Sequence, residues 1–188
     1  AAPPCFWLPR HRETRARAKH PYPSAPARPH APARLGFRRE KRVSTDLLDG
    51  SSSSAAQPET QTEPWLAVNP EDPDHLVAGW QEARHADGAA RALGVAVSTD
   101  GGRSWTESLV PGLTLADGAG SWARASDPWP AVGPDGVLYS NSLLVSGFIP
   151  GPNAIAVSVS RDGGVSWEPP VEITRDNLDF NDKNSMIV

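Results

Sequence analysis

The sequence predicts an all-β fold, and three features of the chain support this. Apolar residues alternate with small or polar ones in short runs such as 93–97 and 154–159, which is typical of half-buried strands. Each run leads into the same eight-residue pattern, S-x-D-G-G-x-S-W, at residues 98–105 and again at 160–167. The sequence around this pattern also repeats, which indicates that the chain is built from copies of one unit.

The repeated pattern predicts the tip of a hairpin between two strands. An aspartate carboxylate accepts backbone N–H groups in a tight turn, paired glycines adopt positive φ, and the tryptophan returns apolar surface to the layer beneath. The residues given this structural role are Ser98, Asp100, Gly101, Gly102 and Trp105 in the first copy and Ser160, Asp162, Gly163, Gly164 and Trp167 in the second.

A second repeated segment fixes the period of the unit. Residues 63–70 (EPWLAVNP) match residues 127–134 (DPWPAVGP) at a shift of 64, and the two turn patterns lie 62 apart. Each unit is therefore expected to hold four strands, with the turn between the third and the fourth, and no helix longer than about two turns. The predicted strands are 65–69, 76–82, 92–98, 104–109, 129–132, 137–145, 154–160 and 166–174.

Four antiparallel strands per period are typical of a β-propeller blade, and about four to eight blades close a ring. The first blade is predicted at about 61–112 and the second at about 123–175, with the first strand of a third at 181–188. Two blades cannot close a ring. We expect a partial β-propeller whose partners are further blades of a larger protein, or alternatively a pair of blades that associates across chains.

The N-terminal region differs sharply in composition. Residues 1–43 contain eleven Lys/Arg, two Glu and eight Pro, and a Ser-rich linker follows at 49–56. Residues 1–60 are predicted to form a disordered basic arm, because they lack the apolar surface that would offset their ordering entropy. A basic arm can bind a polyanion, but Arg and Pro without interleaved aromatics fit a solvated tail as well, so a nucleic-acid partner is not favoured.

Other classes of protein are not supported by the composition. Cys5 is the only cysteine, so no disulfide within the chain, zinc site or redox pair is predicted, and neither is a cofactor or a metal. No apolar stretch has the length of a signal peptide or of a membrane span.

The turn motifs and their spacing resemble the Asp-box, or BNR repeat, of sialidase-like β-propellers, a group that includes bacterial exo-α-sialidases. The resemblance implies a glycan or sialoside ligand and a secreted or cell-surface location. It also implies that the Asp-boxes lie at the rim, away from the catalytic face, so Asp100 and Asp162 are expected to be structural.

The segment 79–88 holds the candidate catalytic residues. By resemblance, Arg84 matches an arginine that grips the carboxylate of sialic acid, and Asp87 matches the acid/base. The alternative is a solvated ion pair in a hairpin loop. The family's arginine before the first inner strand is absent, since Gln61-Thr62-Glu63-Pro64 stands there.

Two functions remain open at this point. One is sialidase-type hydrolysis by a longer protein, since the tyrosine nucleophile would lie beyond the second blade and the site here is incomplete. The other is a non-catalytic propeller that binds carbohydrate or protein.

Two further sets of residues allow more than one interpretation. Glu63, Asp127 and Asp182 each begin an inner strand, and they either form an acidic ring around the channel or cap turns through backbone N–H groups. Trp80 and Trp122 fall outside the repeated positions, and they either pack in the blades or stack on a sugar ring.

Overall fold

The computed structural model describes residues 40–48, 56–147 and 151–188. The all-β prediction is confirmed, because the only helix among the described residues is the short 3₁₀ helix Leu115–Asp117. The strands are β1 (Gln61–Val68), β2 (Leu76–Arg84), β3 (Ala90–Ser98), β4 (Thr106–Leu109), β5 (Arg124–Val132), β6 (Leu138–Val145), β7 (Asn153–Ser160) and β8 (Val171–Asp176).

The strands form one open antiparallel sheet with a narrow joint in its middle. β1 to β4 pair in chain order, and so do β5 to β8. The two sets meet only where Ala90 of β3 pairs with Ala125 of β5. We call β1–β4 the first repeat and β5–β8 the second repeat.

The strand bounds differ from the predicted ones at two kinds of position. β1 and β5 begin four or five residues earlier than predicted, because each continues past an irregularity at Glu63-Pro64 or Asp127-Pro128 that breaks the register. β8 begins later, at Val171, since Pro169 and Pro170 have no N–H to donate to the ladder.

The core lies between the two repeats. Strand alternation directs Val77, Leu93, Val95 and Val97 to one face of the first repeat. These side chains form one buried cluster with residues of the second repeat, among them Leu138, Leu144, Ala154 and Ala156. β5 packs against β1, β2 and β3, and Pro130 lies so close to Gly79 that a Cβ there would be 3.2 Å from the proline ring.

The opposite face of the first repeat is covered differently. Trp80 lies flat over Gly94, where an added Cβ would fall 2.2 Å from the indole. Trp80 is only 3% exposed, which favours its interpretation as a packing residue. Trp122 is also buried, and its indole lies beneath the guanidinium of Arg175 at 4.6 Å, so packing is favoured for it too.

The predicted arm and linker fall largely outside the described residues, namely at 1–39 and 49–55. Residues 40–48 and 56–60 are described, and several of them contact the sheet. Leu48 packs against Ala83 and Ala92, and Gln57 donates its backbone N–H to Arg84 O at 2.8 Å. No helix in the described part of the chain has the length and apolar character needed to cross a bilayer.

The strands give the molecule two distinct ends. At one end, Leu76 pairs with Ser98 and Leu138 pairs with Ser160, so both repeated turns project there. We call this the turn end. At the other end, Arg84 pairs with Ala90, and the strands carry most of the candidate site residues. We call it the charged end.

Candidate functional site

The first repeated turn is closed by its own side chains. Asp100 Oδ1 accepts N–H groups from Arg103 at 2.8 Å and Ser104 at 2.9 Å, and Ser104 Oγ donates to Oδ2 at 2.6 Å. Ser98 Oγ donates to Asp100 and accepts the N–H of Gly102 at 2.9 Å. The donors around Asp100 lower its pKa.

The second repeated turn has the same bonds. Asp162 accepts Ser166 N at 2.9 Å and Ser166 Oγ at 2.6 Å, while Ser160 Oγ accepts Gly164 N at 2.8 Å. Hydrogen bonds from Ser166 and Ser160 lower the pKa of Asp162 to about 2. In both turns the two central glycines have positive φ, between 71° and 89°. The oxygens of these turns are occupied locally, which agrees with a structural role.

Trp105 and Trp167, the last residues of the turns, return toward the sheet. Trp105 Nε1 donates to Gly102 O at 3.2 Å, so the indole closes its own turn. Trp167 packs against the buried cluster between the repeats.

Arg84 lies at the charged end, where it binds acceptors within the protein. Its Nη1 donates to Gln81 Oε1 at 2.7 Å and lies 3.6 Å from Glu63 Oε1. About a third of its side chain is exposed, so part of the guanidinium remains open to a ligand.

Asp87 lies at the same end but has a different partner. Arg124 Nη1 donates to Asp87 Oδ1 at 2.7 Å and to Gly88 O at 3.0 Å, and Arg124 Nη2 donates to Asp87 Oδ2 at 3.3 Å. The hydrogen bond from Arg124 is the main cause of a lowered pKa at Asp87. A carboxylate held ionised in this way is a poor proton donor at neutral pH.

The three inner strands share an unusual backbone conformation at the charged end. Glu63, Asp127 and Lys183 have φ values of 51°, 49° and 63°, in the left-handed region that non-glycine residues rarely adopt. Lys183, rather than Asp182, therefore takes the third equivalent place, and a ring of three carboxylates does not form there. Lys183 Nζ lies 3.5 Å from Asp127 Oδ1 instead.

These three residues surround a cavity of about 320 Å³. Its walls include Trp65 and Trp129, whose rings stack with centroids 3.8 Å apart at 26°. Trp65 is 41% exposed, so it offers aromatic surface to solvent or to a ligand. We call this the inner-strand pocket.

The carboxyl groups of the inner-strand pocket interact with each other. Partial burial, followed by a hydrogen bond with Asp127, raises the pKa of Glu63, whereas Lys183 and Arg84 oppose this rise. Gln81 Nε2 donates to Glu63 Oε2 at 2.7 Å and to Ser126 Oγ at 2.9 Å. The pocket thus combines an aromatic wall with hydrogen-bond donors and acceptors, which suits a ligand with hydroxyl groups. The described residues contain no group of three or more His, Cys, Asp or Glu side chains that could hold a metal ion.

Sequence reasoning missed the roles of Arg124, Gln81 and Lys183. Arg124 and Lys183 lie just before or within inner strands, next to the repeated D-P-W segment or its counterpart. A closer comparison of the repeats could have aligned Lys183 with Asp127, but nothing in the sequence links Arg124 with Asp87, 37 residues earlier.

No protein-family model matches the chain, and no curated protein matches it. Among solved structures, the chain is similar to one described as "Hadza microbial sialidase Hz136", with a TM-score of 0.41 and 17% sequence identity. The match covers 66% of this chain and 26% of that one, so the chain spans about a quarter of the length of the sialidase. With a TM-score this low, the fold has to be argued from the chain's own strands and repeats.

Proposed function

We propose that the chain forms two blades of a sialidase-like Asp-box β-propeller and that its inner-strand pocket binds a carbohydrate without cleaving it. The propeller interpretation is supported by two successive sets of four antiparallel strands, joined by one residue pair. It is also supported by two turns with matching hydrogen bonds, each between the third and fourth strand of its set.

The observation that favours binding over hydrolysis is the clasp between Asp87 and Arg124. A general acid needs a proton to give, and the guanidinium fork favours the ionised carboxylate. The inner-strand pocket, by contrast, offers what a sugar ring needs. Trp65 presents a flat apolar surface, and Glu63, Asp127 and Lys183 surround it with polar groups.

Tryptophan fluorescence tests this proposal, because both pocket indoles report on an occupied site. The 188-residue chain is titrated with lactose and with 3′-sialyllactose, and we expect saturable quenching. Trp65→Leu should weaken binding of both sugars by about tenfold, which is the loss of about 1.4 kcal/mol of aromatic contact.

Lys183→Met should weaken only the sialylated sugar. Arg161→Met, which removes an exposed cation at the turn end, is the matched control and should change neither affinity. The absence of saturable quenching with either sugar would contradict the proposal.

Sialidase-type hydrolysis by a longer protein is the second candidate. It is favoured by the location of Arg84 and Asp87 at one end of the strands, opposite the repeated turns, as the resemblance implies. Asp87 would have to leave Arg124 in order to act as the acid. Turnover of an aryl sialoside by a form that carries further blades tests this candidate, and Asp87→Ala should lower turnover by about 10²–10⁴-fold.

A secreted or cell-surface location is the corresponding proposal for this protein. It rests on the expected glycan ligand. Fractionation of the producing cells tests it, and recovery only from the cytoplasm would count against it.

A further inference from the structure

Residues 43–48 cross the face of the first repeat that points away from the second repeat. Leu48 is 8% exposed and packs on Ala83 and Ala92. Thr45 grips β4 through both oxygens of one carboxylate, since its N–H and its Oγ each donate to Glu107 at 2.7 Å. We call residues 43–48 the strap.

A buried carboxyl group lies beneath the strap. Glu82 is fully buried, and it accepts hydrogen bonds from Trp80 Nε1 at 2.7 Å and Gln61 Nε2 at 3.0 Å. Asp46 of the strap is also within hydrogen-bonding reach of Glu82. Two carboxyl groups attract each other only while one carries a proton, and they repel when both are ionised.

The internal repeat shows what this face otherwise does. Ala92 of the first repeat corresponds to Ala154 of the second, at the spacing of 62 residues between the turns. Ala154 is buried in the cluster that joins the repeats, so in the second repeat this face is covered by a sheet. In the first repeat, the strap and the indole of Trp80 cover it instead.

We propose that the strap is a pH-sensitive latch, closed while the Asp46–Glu82 pair holds one proton and open once both carboxyl groups are ionised. Opening would expose the face around Ala92 and Gly94, which could then receive a sheet as its counterpart in the second repeat does. This inference is independent of the carbohydrate-binding proposal.

The charged neighbours set the direction of the effect. Burial raises the pKa of Glu82, and the charge of Asp46 adds to this rise, while the donors Trp80 and Gln61 oppose it. A raised carboxyl pKa gives stability that is complete below the unfolded value and is lost as pH rises through the folded value. The other charged groups at the strap are Glu107 of β4 and, at its N-terminal side, Lys41 and Arg42. Arg84, two residues beyond Glu82, pairs with Glu63 instead.

Nuclear magnetic resonance of the full chain tests the latch. The indole N–H of Trp80 reports on Glu82, and the backbone N–H of Thr45 reports on the strap. We expect both signals to shift in one common transition, with a midpoint above the ordinary glutamate value of about 4.3. A second change at Thr45 at lower pH, from protonation of Glu107, is expected to remain separate.

Glu82→Gln removes the titrating group and keeps an acceptor for the indole. In this variant the upper transition of Thr45 should disappear and the strap should stay closed, while Leu48→Ala should shift Thr45 to its open position at every pH. The indole N–H of Trp129, bonded to Met186 O, reports whether each variant is folded. An upper transition at Thr45 that persists in Glu82→Gln, or a Thr45 signal that ignores the titration of Trp80, would overturn the proposal.

Discussion

At the scale of single residues, the two glycines of the second turn have the same sequence context but different surroundings. Gly163 has φ 73° and open space where a Cβ would lie. Gly164 has φ 89°, and a Cβ there would lie 2.5 Å from Val97 and 3.3 Å from Leu138. Gly164 therefore marks the point where the second turn packs onto the first repeat.

Replacing these glycines separates backbone strain from packing. Gly163→Ala should lower the free energy of unfolding by about 1 kcal/mol, the cost of a positive φ at alanine. Gly164→Ala should lose about 1–3 kcal/mol more, because overpacking adds to the same strain. Urea denaturation of both variants measures the difference, and equal losses would mean that the turn does not contact β3.

A second prediction at this scale concerns pH and Asp162. Its pKa falls to about 2 in the folded chain, compared with about 3.9 for an unperturbed aspartate. A lowered carboxyl pKa stabilises the fold above the unfolded value, and this contribution is lost as pH falls toward 2.

Asp162→Asn should therefore be less stable than wild type at pH 6, and the gap should close between about pH 4 and pH 2. Urea midpoints at several pH values test this. Val165→Ala, in the same turn and highly exposed, is the control and should show no such convergence.

At the scale of elements, Arg124 fastens the loop between β2 and β3 to the start of β5. Its side chain is 10% exposed and makes three hydrogen bonds to Asp87 and Gly88. Arg124→Met should cost about 1–3 kcal/mol of unfolding free energy, because it removes charge-assisted bonds and leaves a carbonyl unpaired. Arg103→Met, at an exposed arginine of the first turn, should change stability by less than about 0.5 kcal/mol.

A double-mutant cycle measures whether Asp87 acts through Arg124. Asp87→Ala should destabilise the wild-type chain and have little further effect in Arg124→Met. Additive losses would show that the two residues are independent, and the interpretation of Asp87 as a clasp residue would fail.

At the scale of the whole molecule, corresponding faces of the two repeats differ in what covers them. Val97 of β3 is buried between the repeats, whereas its counterpart Val159 of β7 is only half-buried. The face around Val159 also carries Val171 and Ile173, which are 65% and 66% exposed. Residues 181–188 run beside this repeat, where Asn141 Nδ2 donates to Ser185 O at 3.5 Å.

The same substitution at the two counterparts tests this difference. Val97→Thr should lower stability by about 1–3 kcal/mol, because it buries a hydroxyl group between the repeats. Val159→Thr should cost about 0.5 kcal/mol or less in this chain. Thermal unfolding of the two variants checks the prediction, and equal costs would mean that the face around Val159 is covered in solution.

Most of the fold could be predicted from the sequence because its signals are local. Alternating apolar residues and the D-G-G turns are short-range features, and they located all eight strands to within about five residues. The irregularities at Glu63 and Asp127 were not predicted, since their left-handed backbone follows from packing between the inner strands.

The candidate site could be predicted only in part. The sequence indicated that Arg84 and Asp87 lie at the end opposite the turns. It did not reveal that Arg84 faces Glu63 and Gln81 whereas Asp87 binds Arg124. Those partners come from other strands, and strand pairing does not specify which side chains meet across a loop.

The sequence by itself therefore determined the strand content, the order of the strands and the hydrogen-bonded form of each turn, because these depend on residues within a few positions of one another. The tertiary structure decided which charges meet at the charged end, which face of each repeat is buried, and that the strap covers the first repeat. These features depend on contacts between residues tens of positions apart, such as Thr45 with Glu107 and Asp87 with Arg124. Packing of the two repeats brings such residues together, and no local pattern in the chain specifies it.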